Sequence, residues 1–204
     1  MVRRRSYRRD GLSISLGNTK MGSIPSFSLP PGETCPGKSR ACRACYVTKS
    51  WRIHPSVRGA YAGNLAVANS DGFEPAMGEY LSSALPRVFR LHVSGDFFSL
   101  EYIEKWASII KSRPDIKFFG FTRSWRVPAL LLALDRLRRL PNVALWASWD
   151  SYTGEPPAGW RRAHMGEMPD DTPCCRAYTS AELTCDTCRR CWGRSASQVY
   201  FPIH

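Results

Sequence analysis

No stretch of these 204 residues approaches the ~18–20 consecutive apolar residues of a membrane-spanning helix. The arginine-rich start, MVRRRSYRRD, is not followed by the apolar segment of a secretion signal. A soluble, cytoplasmic protein that makes no use of a membrane is therefore expected. Acidic residues are scarce, 17 against 29 Lys and Arg, and there are only four histidines. Cysteine is missing from residues 46 to 173, which read as an ordinary core and argue against an extracellular disulfide framework. Low-complexity sequence is absent beyond the arginine arm.

The formal charge of +12 has two sources. The first ten residues carry +4 of it, and the rest is spread over the body. Such a surface suits a nucleic acid, a nucleotide or another polyanion, although a basic tail also serves solubility alone. Metal would lower the sum, because a four-iron cluster on four thiolates carries about −2.

With 43% hydrophobic residues the chain can bury one core. Residues 1–22 read as a basic flexible arm and 23–204 as a single α/β domain. Ile24 to Leu29 is a candidate first strand, broken by Pro30-Pro31. Val57, Tyr61, Leu65 and Ala68 recur at helical spacing, and residues 75–85 read as a second helix stopped by Pro86. Three apolar runs then begin near residues 88, 116 and 143. Helices separate them, the first with Ser99 as N-cap and Leu100, Ile103, Trp106 and Ile110 on one face. Apolar strands alternating with helices predict parallel strands, here a partial parallel (βα) barrel of about four to six units. A flat doubly wound sheet is the alternative. VYFPI supplies a last edge strand.

Each run delivers polar residues at its C-terminal end, where such folds place their chemistry. These are Ser94, Gly95 and Asp96, then Arg123, then Ser148 and Asp150. They are the candidate ligand contacts. His92 flanks the first group, either as a pocket residue or as a buried partner of Asp96. Arg123 with Trp125 could clamp a carboxylate or phosphate, or simply stack at the surface. His54, His164 and the terminal His204 are weaker candidates. Trp106, Trp146, Trp149, Trp160 and Trp192 include candidate base-stacking platforms, Trp106 fitting a core better.

Cysteines fall into two sets, one near each end. Cys35, Cys42 and Cys45 follow the candidate first strand. Cys174, Cys175, Cys185, Cys188 and Cys191 lie near the C-terminus, with Arg189, Arg190 and Arg194 as a basic rim. Grouping of this kind points to metal. Structural zinc commonly uses two CxxC pairs, whereas the overlapping CxxCxxC of TCDTCRRCW is the ferredoxin-like arrangement for a 4Fe–4S cluster, completed by a cysteine from elsewhere. Three thiolates in the first set would leave one iron open to a small molecule.

The first set, with Tyr46 after its last cysteine, partly resembles the radical S-adenosylmethionine enzymes, although its first gap is six residues where that superfamily has three. The resemblance implies an open 4Fe–4S cluster, bound S-adenosylmethionine, a reductant, and a role for SGDF (Ser94 to Phe97) at the methionine amino group. A broader resemblance covers most of the chain. CPG…CRACY, RLHVSGDFFS, FGFTRSW, LPNVALWASWDSYTG, GWRRA, TCDTCRRCW and VYFPIH are similar to the gene-product-88 family of phage proteins. That family implies two iron–sulfur-type sites and a viral origin, hence the cytoplasm of a bacterial host. It also implies Cys175 as the fourth ligand beside Cys185, Cys188 and Cys191, with Cys174 a neighbour, alternative ligand or free thiol. Arg176 stands where the family has proline.

Three readings follow. They are a radical S-adenosylmethionine-like enzyme with an auxiliary 4Fe–4S cluster, a non-catalytic iron–sulfur protein for electron transfer, sensing or structure, and a zinc-stapled nucleic-acid-binding protein.

Overall fold

Turn chemistry decides the N-terminus. Asp10 and Gly11 both take positive φ, 48° and 83°, as a two-residue hairpin turn requires. They fold β1 (Ser6–Arg9) antiparallel onto β2 (Leu12–Ser15). In this computed structural model, which describes residues 6–166, 172–193 and 195–202, residues 6–22 are thus not the loose arm that their charge predicts. Alternation along β2 sends Leu12 and Ile14 into the core, and Met21 is buried as well. Buried Asn64 fastens the hairpin: its Nδ2 donates to the Ser13 and Ser28 carbonyls at 2.9 and 2.8 Å, and its Oδ1 accepts the Ser13 amide at 2.7 Å.

Three helices precede the main sheet: α1 (Tyr46–Ile53), α2 (Pro55–Ala68) and α3 (Phe73–Ala84). The last ends at Leu85 in the left-handed region, just before Pro86. The sheet contains β3 (Val88–Arg90), β4 (Lys117–Thr122), β5 (Val143–Trp149), β6 (Arg161–Met165) and β7 (Gln198–Phe201). All neighbours are parallel and their order follows the chain. The sequential order has no reversal point, so the doubly wound alternative does not apply. Closure into a barrel is not seen among the described residues. The sheet is open, with β3 and β7 at its two edges. Ile24 to Leu29 runs beside β3 as an irregular edge. Phe27 N–H donates to the Arg90 carbonyl, Arg90 N–H to Pro25, and a single parallel bridge joins Ser26 to Arg90. Pro25 cannot donate to a ladder, which keeps this edge short.

α4 (Leu100–Lys111) and α5 (Pro128–Arg138) are the crossovers between β3, β4 and β5. Ser99 Oγ accepts the Tyr102 amide at 3.1 Å, the N-cap its position predicts. Leu100 is exposed, while Tyr102 joins Ile103, Trp106 and Ile110 in the buried stripe. These helices pack on the sheet face that carries Phe89, Phe118 and Leu145. The opposite face carries Val88, Phe119, Ala144, Trp146, Ala163 and Val199, packed with Met21, Ile24 and Trp192. Its cover is the cysteine-rich segment with α6 (Arg176–Thr179) and α7 (Cys185–Cys188).

His92 lies inside the first core, in contact with Phe27, Phe97, Tyr102 and Trp106. Its Nε2 meets the Tyr102 hydroxyl at 2.7 Å, and Asp96 is not its partner. Burial, with Arg90 adding to it, pushes its pKa down to about 3 from an ordinary 6.5. Between those values the unfolded chain binds a proton that the folded chain refuses. Stability from this group is therefore complete above pH 6.5 and lost as pH falls towards 3. His92 also has φ 45°, a left-handed conformation that asparagine tolerates. Accordingly, urea midpoints should fall more steeply in the native chain than in His92→Asn as pH drops from about 7 to about 4.

Candidate metal and ligand sites

The first cysteine set rides on a loop laid across the C-terminal ends of β3, β4 and β5. Two glycines allow the close approach. A Cβ at Gly37 would stand 2.0 Å from the Arg123 carbonyl oxygen, and one at Gly95 would stand 2.5 Å from Leu29 Cβ and Thr34 Oγ1. Arg126 Nη1 donates to the Gly37 and Lys38 carbonyls at 3.0 and 3.1 Å. Beyond them Ser39 N–H points to Cys42 Sγ at 3.4 Å.

The strand-end residues chosen as ligand contacts engage one another. Asp96 Oδ2 accepts the backbone amides of Arg123 and Ser124 at 2.7 and 3.2 Å, and its Oδ1 accepts that of Phe97 at 2.8 Å. Burial nevertheless raises its pKa above the carboxylate norm. Arg123 Nη1 pairs with Asp150 Oδ2 and donates to Ser39 Oγ at 3.0 Å, while Ser39 Oγ donates to Asp150 at 2.8 Å. Burial would raise the Asp150 pKa, but the Ser39 hydroxyl and the Arg123 charge outweigh it and the net shift is downward. Trp125 Nε1 donates to the Ser148 carbonyl at 3.1 Å, so it does not clamp a ligand with Arg123. Ser94 is buried, and its hydroxyl has no hydrogen-bond partner among the described residues. The set thus ties the cysteine loop to three strands.

All eight cysteines are free thiols. Among the described residues no three His, Cys, Asp or Glu side chains converge tightly enough to hold a single metal ion. In the first set burial pushes the Cys35 thiol up to about 11, with Asp96, Cys42 and Cys45 adding to the effect. Tyr46, which follows Cys45, donates its hydroxyl to the Val93 carbonyl at 2.8 Å.

The second set is built against the sheet face opposite α4 and α5. Cys175, Cys185, Cys188 and Cys191 line one cleft with Arg176, Ala177, Arg190 and Val199. Indoles fasten it: Trp146 Nε1 donates to the Cys191 carbonyl at 2.7 Å, and Trp192 Nε1 to that of Cys185 at 3.1 Å. Cys185 N–H donates to the Lys20 carbonyl and Cys175 N–H to Tyr200, both at 2.8 Å. Cys174 bridges to Tyr200 along the β7 edge, and its carbonyl accepts from Arg190. Burial raises the Cys175, Cys185 and Cys191 thiols, Cys191 to about 12 with Cys175 and Cys185 contributing.

Arg90 belongs to the same face and was not among the sequence candidates. The only signal is a basic residue inside the apolar run VFRLHV. Its guanidinium lies over Phe119 and Phe121, 5.9 and 5.4 Å from their ring centres, and Nη1 reaches Met21 Sδ at 3.4 Å. Its buried Nε has no hydrogen-bond partner among the described residues. Its charge opposes the upward shifts of Cys185, Cys191 and Tyr46.

Several sequence candidates lie elsewhere. Trp106, Trp146, Trp160 and Trp192 are buried, which removes them as exposed stacking platforms. Trp149 packs on His164, and His54 caps α2. Arg194 and His204 fall outside the described residues.

Comparison with known proteins gives a family. Residues 5–164 match the family described as Gene product 88. The chain belongs to that family. It is 29% identical to the Gene 88 protein of Mycobacterium phage L5 and 28% identical to that of Mycobacterium phage D29, each over 148 residues. Those matches cover 66% of this chain and 60% of each relative, so the chain spans less than two thirds of the curated relatives' length. No solved structure matches. The matched family region contains the first cysteine set and the strand-end network, and it stops short of the second set. No helix among the described residues is long and apolar enough to cross a membrane.

The Arg123–Asp150 pair is buried, so removing one partner leaves the other charge uncompensated. Arg123→Met should destabilise the fold by about 3–5 kcal/mol, and adding Asp150→Asn should restore part of it, as read from denaturant midpoints.

Proposed function

We propose that this protein is an iron–sulfur protein of phage type with two 4Fe–4S sites. Cys175, Cys185, Cys188 and Cys191 would ligate one fully. Cys35, Cys42 and Cys45 would hold the other and leave one iron for a small molecule, S-adenosylmethionine being the best-matched class. The observation that carries the reading is four thiols around one cleft with the charge of Arg90 acting on two of them, its buried Nε without a hydrogen-bond partner among the described residues. Burying a cation without an anion is costly, and so is burying a thiolate without a cation. A cluster held by four thiolates carries net negative charge and would relieve both. A zinc site accounts less well for the overlapping CxxCxxC spacing.

A bound cluster would supply one-electron chemistry, and its open iron would take an amino and carboxylate group. This chain's own residues do the remaining work. Ser39, Arg123 and Asp150 hold the cysteine loop over the strand ends. Asp96 fixes the turn after β4 through the two amides it accepts. Arg90 acts on Tyr46 beside the first set and on Cys185 and Cys191 of the second.

Anaerobically purified protein should contain about eight iron and eight sulfide per chain, falling to about half in Cys191→Ser. Arg90→Gln should move the reduction potential of one centre to more negative values, because a nearby positive charge favours the reduced cluster. Methionine and 5′-deoxyadenosine released on reduction with S-adenosylmethionine would mark the catalytic form. Their absence from protein that holds both clusters would leave the electron-transfer or structural form. Stoichiometric zinc without sulfide would overturn the proposal.

A further inference from the structure

Three cations crowd one buried indole. The charged ends of Arg87, Lys117 and Arg189 lie 5.4, 5.6 and 5.8 Å from the ring centre of Trp192. All three residues are exposed, whereas Trp192 is only 6% exposed. Arg87 directly precedes β3 and Lys117 opens β4, so both stand at the N-terminal edge of the sheet, away from the strand ends that carry Asp96 and Asp150. Arg189 comes from the C-cap of α7, at φ 60°.

None of the three pairs with a carboxylate among the described residues, and the acids near them in sequence are occupied. Asp115 is held by Arg113 at 2.7 and 3.0 Å, and Asp186 accepts the Ser23 hydroxyl at 2.7 Å. Like charges gathered within about twice the ring-to-cation distance repel one another, and a polyanion is the partner that relieves them.

We propose that this face binds the phosphate backbone of a duplex nucleic acid. Trp192 holds the cations in place from beneath and cannot stack on a base, since its ring is covered. Single-strand binders depend on exposed aromatic faces. A duplex presents one charge per about 1.7 Å of axis, so an array of this width meets several phosphates at once. The reading does not rest on the clusters, although both involve the segment that carries Trp192.

The test is the salt dependence of binding. Full-length protein, purified anaerobically, is titrated with a labelled duplex of mixed sequence, about 20 base pairs long, between about 50 and 200 mM salt. Replacing all three cations (Arg87→Gln, Lys117→Gln, Arg189→Gln) should lower the slope of log affinity against log salt by about 2–3, near 0.9 per charge. Arg87→Lys with Arg189→Lys should keep the slope, as should Lys111→Gln with Arg136→Gln on the helical face. An unchanged slope in the triple variant overturns the proposal, and so does an equal loss from the helical-face pair. Tighter binding of the matching single strand also overturns it. So does a triple variant that binds duplex normally but loses iron, because the cations then only offset the charge of a cluster beneath them.

Discussion

A parallel sheet must be covered on both faces, and among the described residues the long crossover helices cover only one of them. α4 and α5 bury Phe89, Phe118 and Leu145. The other face, rich in Phe119, Trp146 and Trp192, is closed by a segment whose two helices are four residues each. Helices of one turn have almost no stability of their own. The cover is held instead by two indole donors and a few backbone bonds. If the proposed cluster is bound there, its binding energy would also be folding energy for this cover. The C-terminal segment is in the first place the cover of this sheet face.

The first set sits differently. Its loop bridges three strand ends through a buried network in which Asp150 is held charged and Asp96 is pushed towards neutrality. Opposite shifts in two carboxylates at one rim follow from their partners. Asp150 has a guanidinium and a hydroxyl, whereas Asp96 has chiefly backbone amides in a dry setting. Such a rim is rigid, and rigidity is what holding three thiols in a fixed relation requires.

The central strands β3, β4 and β5 and the helices α4 and α5 were legible because apolar runs and helical spacing are strong local signals. β6 was not, since RRAHM places two arginines in a strand whose Arg161 lies over Trp146 at 4.7 Å. The hairpin was hidden by its charge, although Asp10-Gly11 spelled its turn. At the site, sequence located Asp96, Arg123 and Asp150 correctly on the strand ends but not their partners. A polar residue at a strand end looks the same whether it awaits a ligand or a neighbouring side chain. Arg90 was missed because one cation in an apolar run reads as a strand-edge residue, and only the packing shows that its charge faces thiols.

That charge also links the C-terminal cysteines to Tyr46, the residue after Cys45. Arg90 acts on Cys185 and Cys191 on one side and on Tyr46, next to Cys45, on the other. A single guanidinium shared in this way cannot be fully compensated by one site without changing the field at the other. Through Arg90, Tyr46 and the C-terminal cysteines, far apart in sequence, share one positive charge.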